Sequence, residues 1–210
     1  EGFREKKKRA VHTGAKLDIL YEDEQVMLIN KPAGMLSQKA EKGDISMVEH
    51  LISHLLDTGE VTEEMLKTFR PSLCNRLDRN TSGIVAAGKT TKGLQQLSEA
   101  FKLRTLGKYY LCIVKGRVAK RALIKGYLYK DNKTNKVTIS RTEIKDSLPI
   151  ETEYIPVCSN GNVTLLKIHL LTGRSHQIRA HLASIGHPLI GDYKYGSKQI
   201  NDTFNRQFKV

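Results

Sequence analysis

One acidic residue stands among arginines in the stretch NRLDRNTSGIV, residues 75–85. Asp78 lies between Arg76 and Arg79, and a turn-like Asn-Thr-Ser-Gly sequence follows. One interpretation is a salt-bridged loop. The other is a nucleophile, because nearby positive charge favours the ionised carboxylate, which can attack an electrophilic carbon without a cofactor. Local physics alone favours the ion pair.

Other catalytic arrangements find little support. The sequence contains no GxxxxGK[ST], GxGxxG or GxSxG motif, which argues against a phosphate-binding loop and a serine hydrolase. His176 and His181 would point about 140° apart on a helix, which does not suit one metal ion, so no metal site is predicted. A glycosidase pair needs a second acid, and Asp192 has suitable chemistry, but nothing in the sequence connects it with Asp78.

The charge of the chain points to a polyanionic partner. Its 210 residues include 35 Lys and Arg against 22 Asp and Glu, which gives a formal net charge of +13 at pH 7. This excess favours nucleic acid as the partner. Three scattered cysteines without CxxC spacing argue against disulfides and structural zinc and favour a cytoplasmic location. No apolar run approaches the roughly 20 residues of a membrane span.

Strand patterns recur along the chain. Residues 16–31 predict two short strands joined by an acidic turn at 22–24, and residues 107–116 predict another strand. Two hairpins are predicted to turn at 131–135 and 160–162. A few helices interrupt these strands without a regular βαβ repeat, which predicts an α+β protein with a mixed sheet.

Three helices are predicted from apolar residues at helical spacing. The first runs from Ile45 to Leu56 with Asp44 as its N-cap, and the second covers residues 90–104, where Gly93 weakens the prediction. The third covers residues 175–186 with Ser175 as its N-cap. Residues 1–15, which contain the charge run REKKKR, are predicted to be a basic arm or the end of a linker, and residues 16–210 one domain.

Four segments together resemble the motifs of the RluA family of pseudouridine synthases. NRLDRNTSGIVAAGK resembles the family's HRLDxxTSG signature, and KPAGM resembles its KPxG segment. KYYLCIVKG resembles its KxYxAxxxG strand, and LLTGRSHQIRAHLASIGHPLIGDYKYG resembles its C-terminal TGRTHQIR block. The segments follow the family's order over residues 31–196, and the combination is highly specific.

The resemblance implies a fold and a reaction. The fold is a mixed, mostly antiparallel sheet in two α/β halves with a central RNA-binding cleft. The reaction is a cofactor-independent isomerisation of uridine in RNA, in which the base is detached at C1′, turned and rejoined through C5. Ribosomal RNA of the large subunit is the expected substrate, as for RluC-like and RluD-like members, and transfer RNA is the alternative. A module that docks on RNA without turnover remains a further interpretation.

The same resemblance implies roles for individual residues. Asp78 is the expected nucleophile, Tyr110 the tyrosine that packs on the base and helps to remove the C5 proton, and Arg179 the basic partner of the aspartate. Arg76 is expected to replace the flipped uridine in the base stack. Further substrate-binding positions are implied at Asn75, Thr81, Arg174, His176 and Gln177. His176 and Gln177 could instead be capping residues or support the residues that contact the substrate.

Two departures from the family pattern and two further expectations complete the prediction. Asn75 stands where the family most often has His, which should tune the site without removing its chemistry. Many members carry an S4-type RNA-binding domain before the catalytic domain, and we expect such a domain upstream of Glu1. Tyr109, on the opposite strand face from Tyr110, is expected to be half-buried. The protein is expected to be a monomer.

Overall fold

A computed structural model of the chain describes residues 12–131 and 133–208, so the predicted charge run at 4–9 lies outside the described residues. The chain divides into two compact units, one extending to Leu106 and the other beginning at Gly107. Helices accompany antiparallel sheets in these units, which confirms the predicted α+β class. Among the described residues, none of the helices has the length and apolar composition needed to cross a membrane.

The first unit contains a four-stranded antiparallel sheet with the strand order β1-β2-β4-β3. Its elements are β1 (Ile19–Glu22), β2 (Val26–Lys31), α1 (Met47–Asp57), a 3-10 turn (Met65–Lys67), β3 (Ser72–Leu73), β4 (Gly83–Gly88) and α2 (Thr91–Lys102). The predicted acidic turn joins β1 to β2. The Asp23 carboxylate stabilises this turn by accepting the N–H groups of Gln25 and Val26. Every second residue of β2 is buried, as expected for a strand with one face in the core.

The first predicted helix is present, but the prediction of its N-cap was wrong. α1 begins after Ser46, whose backbone N–H donates to the Glu49 carboxylate at 3.1 Å as part of a capping box. Asp44 belongs to the preceding turn, where it accepts the N–H groups of Ala40 and Glu41. The side chain of Asp44 is therefore engaged in the turn, and Ser46 caps the helix two residues later.

Gly93 has a packing function at the start of α2. Its N–H donates to the side chain of the N-cap Thr90 at 3.1 Å. A Cβ atom at position 93 would lie 2.0 Å from the carbonyl oxygen of Gln25. The helix therefore needs glycine here because its backbone passes so close to the turn before β2.

The second unit contains a five-stranded antiparallel sheet with the strand order β5-β9-β8-β6-β7. Its elements are β5 (Tyr109–Lys115), β6 (Ala122–Asp131), β7 (Lys136–Ser140), β8 (Leu148–Ser159), β9 (Val163–Leu170), α3 (Gln177–Ser184) and α4 (Lys198–Phe208). The predicted turns at 131–135 and 160–162 fall between β6 and β7 and between β8 and β9. No pattern in the sequence had predicted α4.

The core of the second unit forms where α3 packs on the sheet. Leu182 of α3 is buried in one cluster with residues of β5 and β9, among them Leu166 and Ile168. His181 is also buried, and its Nδ1 atom lies 3.0 Å from the Thr152 hydroxyl. Burial lowers the pKa of His181 to about 4. His181 is therefore a neutral core residue at physiological pH.

Candidate active site

Asp78 lies in the loop between β3 and β4. Arg76 is exposed, Leu77 is buried and Asp78 is half-buried, so the three side chains alternate as in an extended segment. Arg76 and Asp78 thus lie on the same side of the chain. The backbone turns directly afterwards, where the Asp78 carbonyl accepts the N–H of Thr81 at 3.0 Å.

Ser37 anchors this loop immediately before Asp78. The Leu77 N–H donates to the Ser37 hydroxyl oxygen at 3.0 Å, and the same hydroxyl donates to the Leu77 carbonyl at 2.8 Å. Ser37 is itself buried. Both backbone polar groups of the residue preceding Asp78 are therefore fixed by one buried side chain.

Lys31 anchors the loop immediately after Asp78. Its side chain is fully buried, and its ammonium group donates to the carbonyls of Pro32 at 2.9 Å, Met35 at 2.7 Å and Arg79 at 3.1 Å. Burial lowers the pKa of Lys31, and the negative charge of Asp78 acts in the opposite direction. The lysine of the KPAGM segment therefore supports the loop mechanically and interacts electrostatically with Asp78. The KPAGM motif by itself does not indicate this function of the lysine.

Asn75, predicted to bind substrate, is engaged with β4. Its Nδ2 atom donates to the Ile84 carbonyl at 3.1 Å, and its Oδ1 atom accepts the Ala86 N–H at 2.8 Å. The Asn75 amide thus forms hydrogen bonds with the β4 backbone of the kind that a neighbouring strand would form. This contact fixes the loop at its start.

Tyr110 and Tyr109 occupy opposite faces of β5. Tyr110 is half-buried and packs against the core cluster beneath α3. Tyr109 is 57% exposed, so the prediction that it is half-buried was wrong. Its ring stacks on His169 with 4.7 Å between centroids, and the Lys167 Nζ atom lies 4.9 Å from its centroid. Alternation along the strand turns Tyr109 away from the core that holds Tyr110.

Gln177 holds the loop that precedes α3. It is buried, and its Oε1 atom accepts the Thr172 hydroxyl at 3.0 Å and the Arg174 N–H at 3.1 Å. Its Nε2 atom donates to the Glu151 carbonyl at 3.1 Å and the Thr152 hydroxyl at 3.0 Å. Gln177 thus has the supporting position that the sequence offered as an alternative to substrate binding, and it leaves the Arg174 side chain at the surface.

His176 is the N-cap residue of α3, so the prediction of Ser175 was wrong. Its backbone has φ 55° and ψ 15°, a left-handed conformation that few non-glycine residues adopt. The ring Nδ1 atom lies 2.8 Å from the Tyr195 hydroxyl oxygen, and the two rings meet edge to face. The left-handed residue turns the chain into the helix and brings the imidazole to Tyr195.

Arg179 forms a bidentate ion pair with Asp192. The Nε atom donates to Oδ2 at 2.7 Å and the Nη2 atom to Oδ1 at 2.9 Å. Burial raises the pKa of Asp192, but the charge and hydrogen bonds of Arg179, with the N–H groups of Lys194 and Tyr195, outweigh burial and hold it below its usual value. The sequence had left Asp192 without a partner, although it lies in the GDYKYG part of the C-terminal motif.

Within the part of the chain that the structure describes, three side chains could hold a metal ion: Glu22, His54 and Glu60. The Lys89 ammonium group already donates to Glu22 at 2.7 Å and forms an ion pair with Glu60. A lysine thus supplies the positive charge between these carboxylates. On the sequence alone, His176 and His181 come into consideration as metal ligands. Their rings contact the side chains of Tyr195 and Thr152, respectively.

The chain is similar to known RNA-modifying proteins over most of its length. The model of the RNA pseudouridylate synthase family matches residues 25–184. An uncharacterised RNA pseudouridine synthase of Mycoplasma genitalium is 33% identical over 193 residues, which cover 91% of this chain and 59% of that protein. Ribosomal large subunit pseudouridine synthase D of Borreliella burgdorferi is 33% identical over 181 residues, which cover 85% of this chain and 54% of that protein.

The chain spans somewhat more than half the length of these two relatives. Among solved structures, the human protein RNA pseudouridylate synthase domain containing 1 has the same fold, with a TM-score of 0.69 and 21% identity over 90% of this chain and 73% of that one. Because the family match covers most of the sequence, including Asp78, Tyr110 and Arg179, the chain belongs to the RNA pseudouridylate synthase family.

Proposed function

We propose that the chain isomerises uridine to pseudouridine in RNA with Asp78 as the nucleophile. The placement of this carboxylate carries the proposal. Asp78 is half-buried beside the exposed Arg76, and buried side chains of Ser37 and Lys31 fix the backbone on its two sides. Such support suits a group that must be held in one position for attack on a substrate.

In the proposed reaction the Asp78 carboxylate forms a bond to C1′ of the target ribose as the C1′–N1 bond breaks. Uracil departs with the electron pair of that bond, turns within the site and forms a new bond from C5 to C1′, which releases the carboxylate. C5 then loses its proton and N1 gains one, so the product is an isomer and no cofactor is consumed. Tyr110 is proposed to pack on the base and to assist removal of the C5 proton, and Arg179 to act as the basic partner of Asp78.

The proposed substrate is ribosomal RNA of the large subunit. The relative from Borreliella burgdorferi is named for that substrate, and the net charge of +13 suits a polyanion. Arg76 would fill the gap left by the flipped uridine, and Arg174 and Thr81 would contact RNA around it. Transfer RNA is the alternative substrate. We further propose that the protein acts as a monomer in the cytoplasm.

Release of tritium from C5 of uridine tests this function. Transcripts of large-subunit ribosomal RNA and of transfer RNAs, labelled at C5, are incubated with wild type, Asp78→Asn and Asp18→Asn. Asp18 is a matched control, because its carboxylate is exposed and accepts a hydrogen bond from Asn30 at 2.8 Å in the same unit. We expect release by wild type and Asp18→Asn and none by Asp78→Asn, with ribosomal RNA the better substrate.

Each contrary outcome has a definite meaning. Equal release by a folded Asp78→Asn variant would refute the assigned nucleophile. Salt-sensitive binding of both RNAs by wild type without tritium release would refute the enzymatic function and support the docking module. Faster release from transfer RNA would replace the proposed substrate class.

A further inference from the structure

We infer that Asp192 and Tyr195 together position the guanidinium group of Arg179 for the isomerisation. We call these two side chains the Arg179 clamp. The inference rests on the proposed function, because it gives a task to Arg179 in that reaction. It adds two positioning residues that contact the proposed site residue.

The clamp restrains the guanidinium group through two different contacts. The bidentate bond to the Asp192 carboxylate, at 2.7 Å and 2.9 Å, fixes the direction of the planar group within its own plane. The Tyr195 ring lies 5.1 Å from the Arg179 Cζ atom and supports the plane itself through a cation–π contact. Because Asp192 uses Nε and Nη2, the direction of Nη1 is set as well.

The clamp is itself held by hydrogen bonds from the backbone. The Asp192 Oδ1 atom also accepts the N–H groups of Lys194 at 2.9 Å and Tyr195 at 3.2 Å. The Tyr195 hydroxyl oxygen accepts the Val137 N–H at 3.0 Å from β7. The carboxylate and the ring are thus fixed to the backbone, so they can hold a side chain that would otherwise sample several rotamers.

The position of Arg179 argues for more than a stabilising ion pair. Its side chain is 26% exposed, whereas that of Asp192 is 5% exposed. The acid is therefore the more buried partner, and part of the arginine side chain is accessible. A carboxylate that is fixed in the core can hold a partly accessible guanidinium group in one orientation.

Asp192→Asn tests the clamp because it preserves shape and removes the charge that holds Arg179. We expect the single-turnover rate of tritium release to fall on the order of 10²-fold. The Kd for RNA, measured by filter binding at fixed salt, should stay equal or decrease, because the variant is more positive. Asp202→Asn is the matched control, since Asp202 is an acid of the same unit that accepts the Tyr193 hydroxyl at 2.8 Å. Its rate should equal that of wild type, and its Kd should match that of Asp192→Asn, because both variants remove one negative charge.

A second pair of variants tests the ring. Tyr195→Phe and Tyr195→Leu both lose the hydroxyl group. Only Tyr195→Phe keeps an aromatic ring in contact with Arg179. We expect Tyr195→Phe to react about ten-fold faster than Tyr195→Leu. A folded Asp192→Asn variant with the wild-type rate would overturn the inference. If that variant does not fold, equal rates for the two Tyr195 variants would overturn it.

Failure of the underlying function gives a different result. Wild type that releases no tritium refutes the proposed function and, with it, the clamp. Wild type that releases tritium at the rate of a folded Asp192→Asn variant refutes the clamp alone.

Discussion

Replacing Lys31 by Met removes the ammonium group that supports the loop of Asp78. The side chain is fully buried and donates three hydrogen bonds of 2.7–3.1 Å to backbone carbonyls, one of them that of Arg79. Methionine fills a similar volume but cannot donate. The carbonyls of Pro32, Met35 and Arg79 would then lose this donor, although the Arg79 carbonyl still accepts the Gly34 N–H at 2.8 Å.

The expected magnitude follows from two opposing contributions. A hydrogen bond to a charged group contributes roughly 1.5–3 kcal/mol. Burial of the ammonium group costs several kcal/mol and so offsets part of the stabilisation from the three hydrogen bonds. The Met variant does not have this cost. We therefore expect Lys31→Met to lower the free energy of unfolding by about 3 kcal/mol.

Urea titration followed by circular dichroism measures this change. Lys92→Met serves as the control, because Lys92 is an exposed lysine at the start of α2 and should change stability by less than about 0.5 kcal/mol. Under conditions where both proteins are folded, Lys31→Met should also release tritium more slowly, since the Arg79 carbonyl loses the Lys31 donor and is held by the Gly34 N–H alone of these two. A variant as stable as wild type would show that desolvation cancels the three bonds, and would refute the reasoning.

Two further changes test the packing. Burial lowers the pKa of His181 to about 4, whereas the unfolded chain takes up this proton near pH 6.5. The neutral His181 side chain therefore does not reduce the free energy of unfolding above about pH 6.5. As the pH falls toward 4, the unfolded chain takes up the proton first, and the free energy of unfolding decreases by up to about 3 kcal/mol. Urea titrations at pH 7.5 and pH 5 should show a smaller loss for His181→Asn than for wild type, and equal losses would contradict this. Gly93→Ala should lower the thermal unfolding temperature, because its Cβ would lie 2.0 Å from the Gln25 carbonyl oxygen. Helix propensity alone predicts the opposite sign.

The sequence by itself determined the fold class, the family and the loop that carries Asp78. Strand alternation and turn residues are local signals, so the hairpin at residues 22–24 and the turn at 160–162 could be read directly. The family motifs could be read for a similar reason. Each is a short run of residues, such as NRLDRNTSG around Asp78, that does not depend on knowing which distant segments come together.

Only the tertiary structure decided which side chains support the proposed site residues. Lys31 reaches the Arg79 carbonyl across 48 residues, and Asp192 reaches Arg179 across 13. These contacts depend on how strands and loops pack, which short-range patterns do not encode. The same holds for Gly93, which a helix disfavours by propensity but requires here because a distant carbonyl occupies the space of its missing side chain.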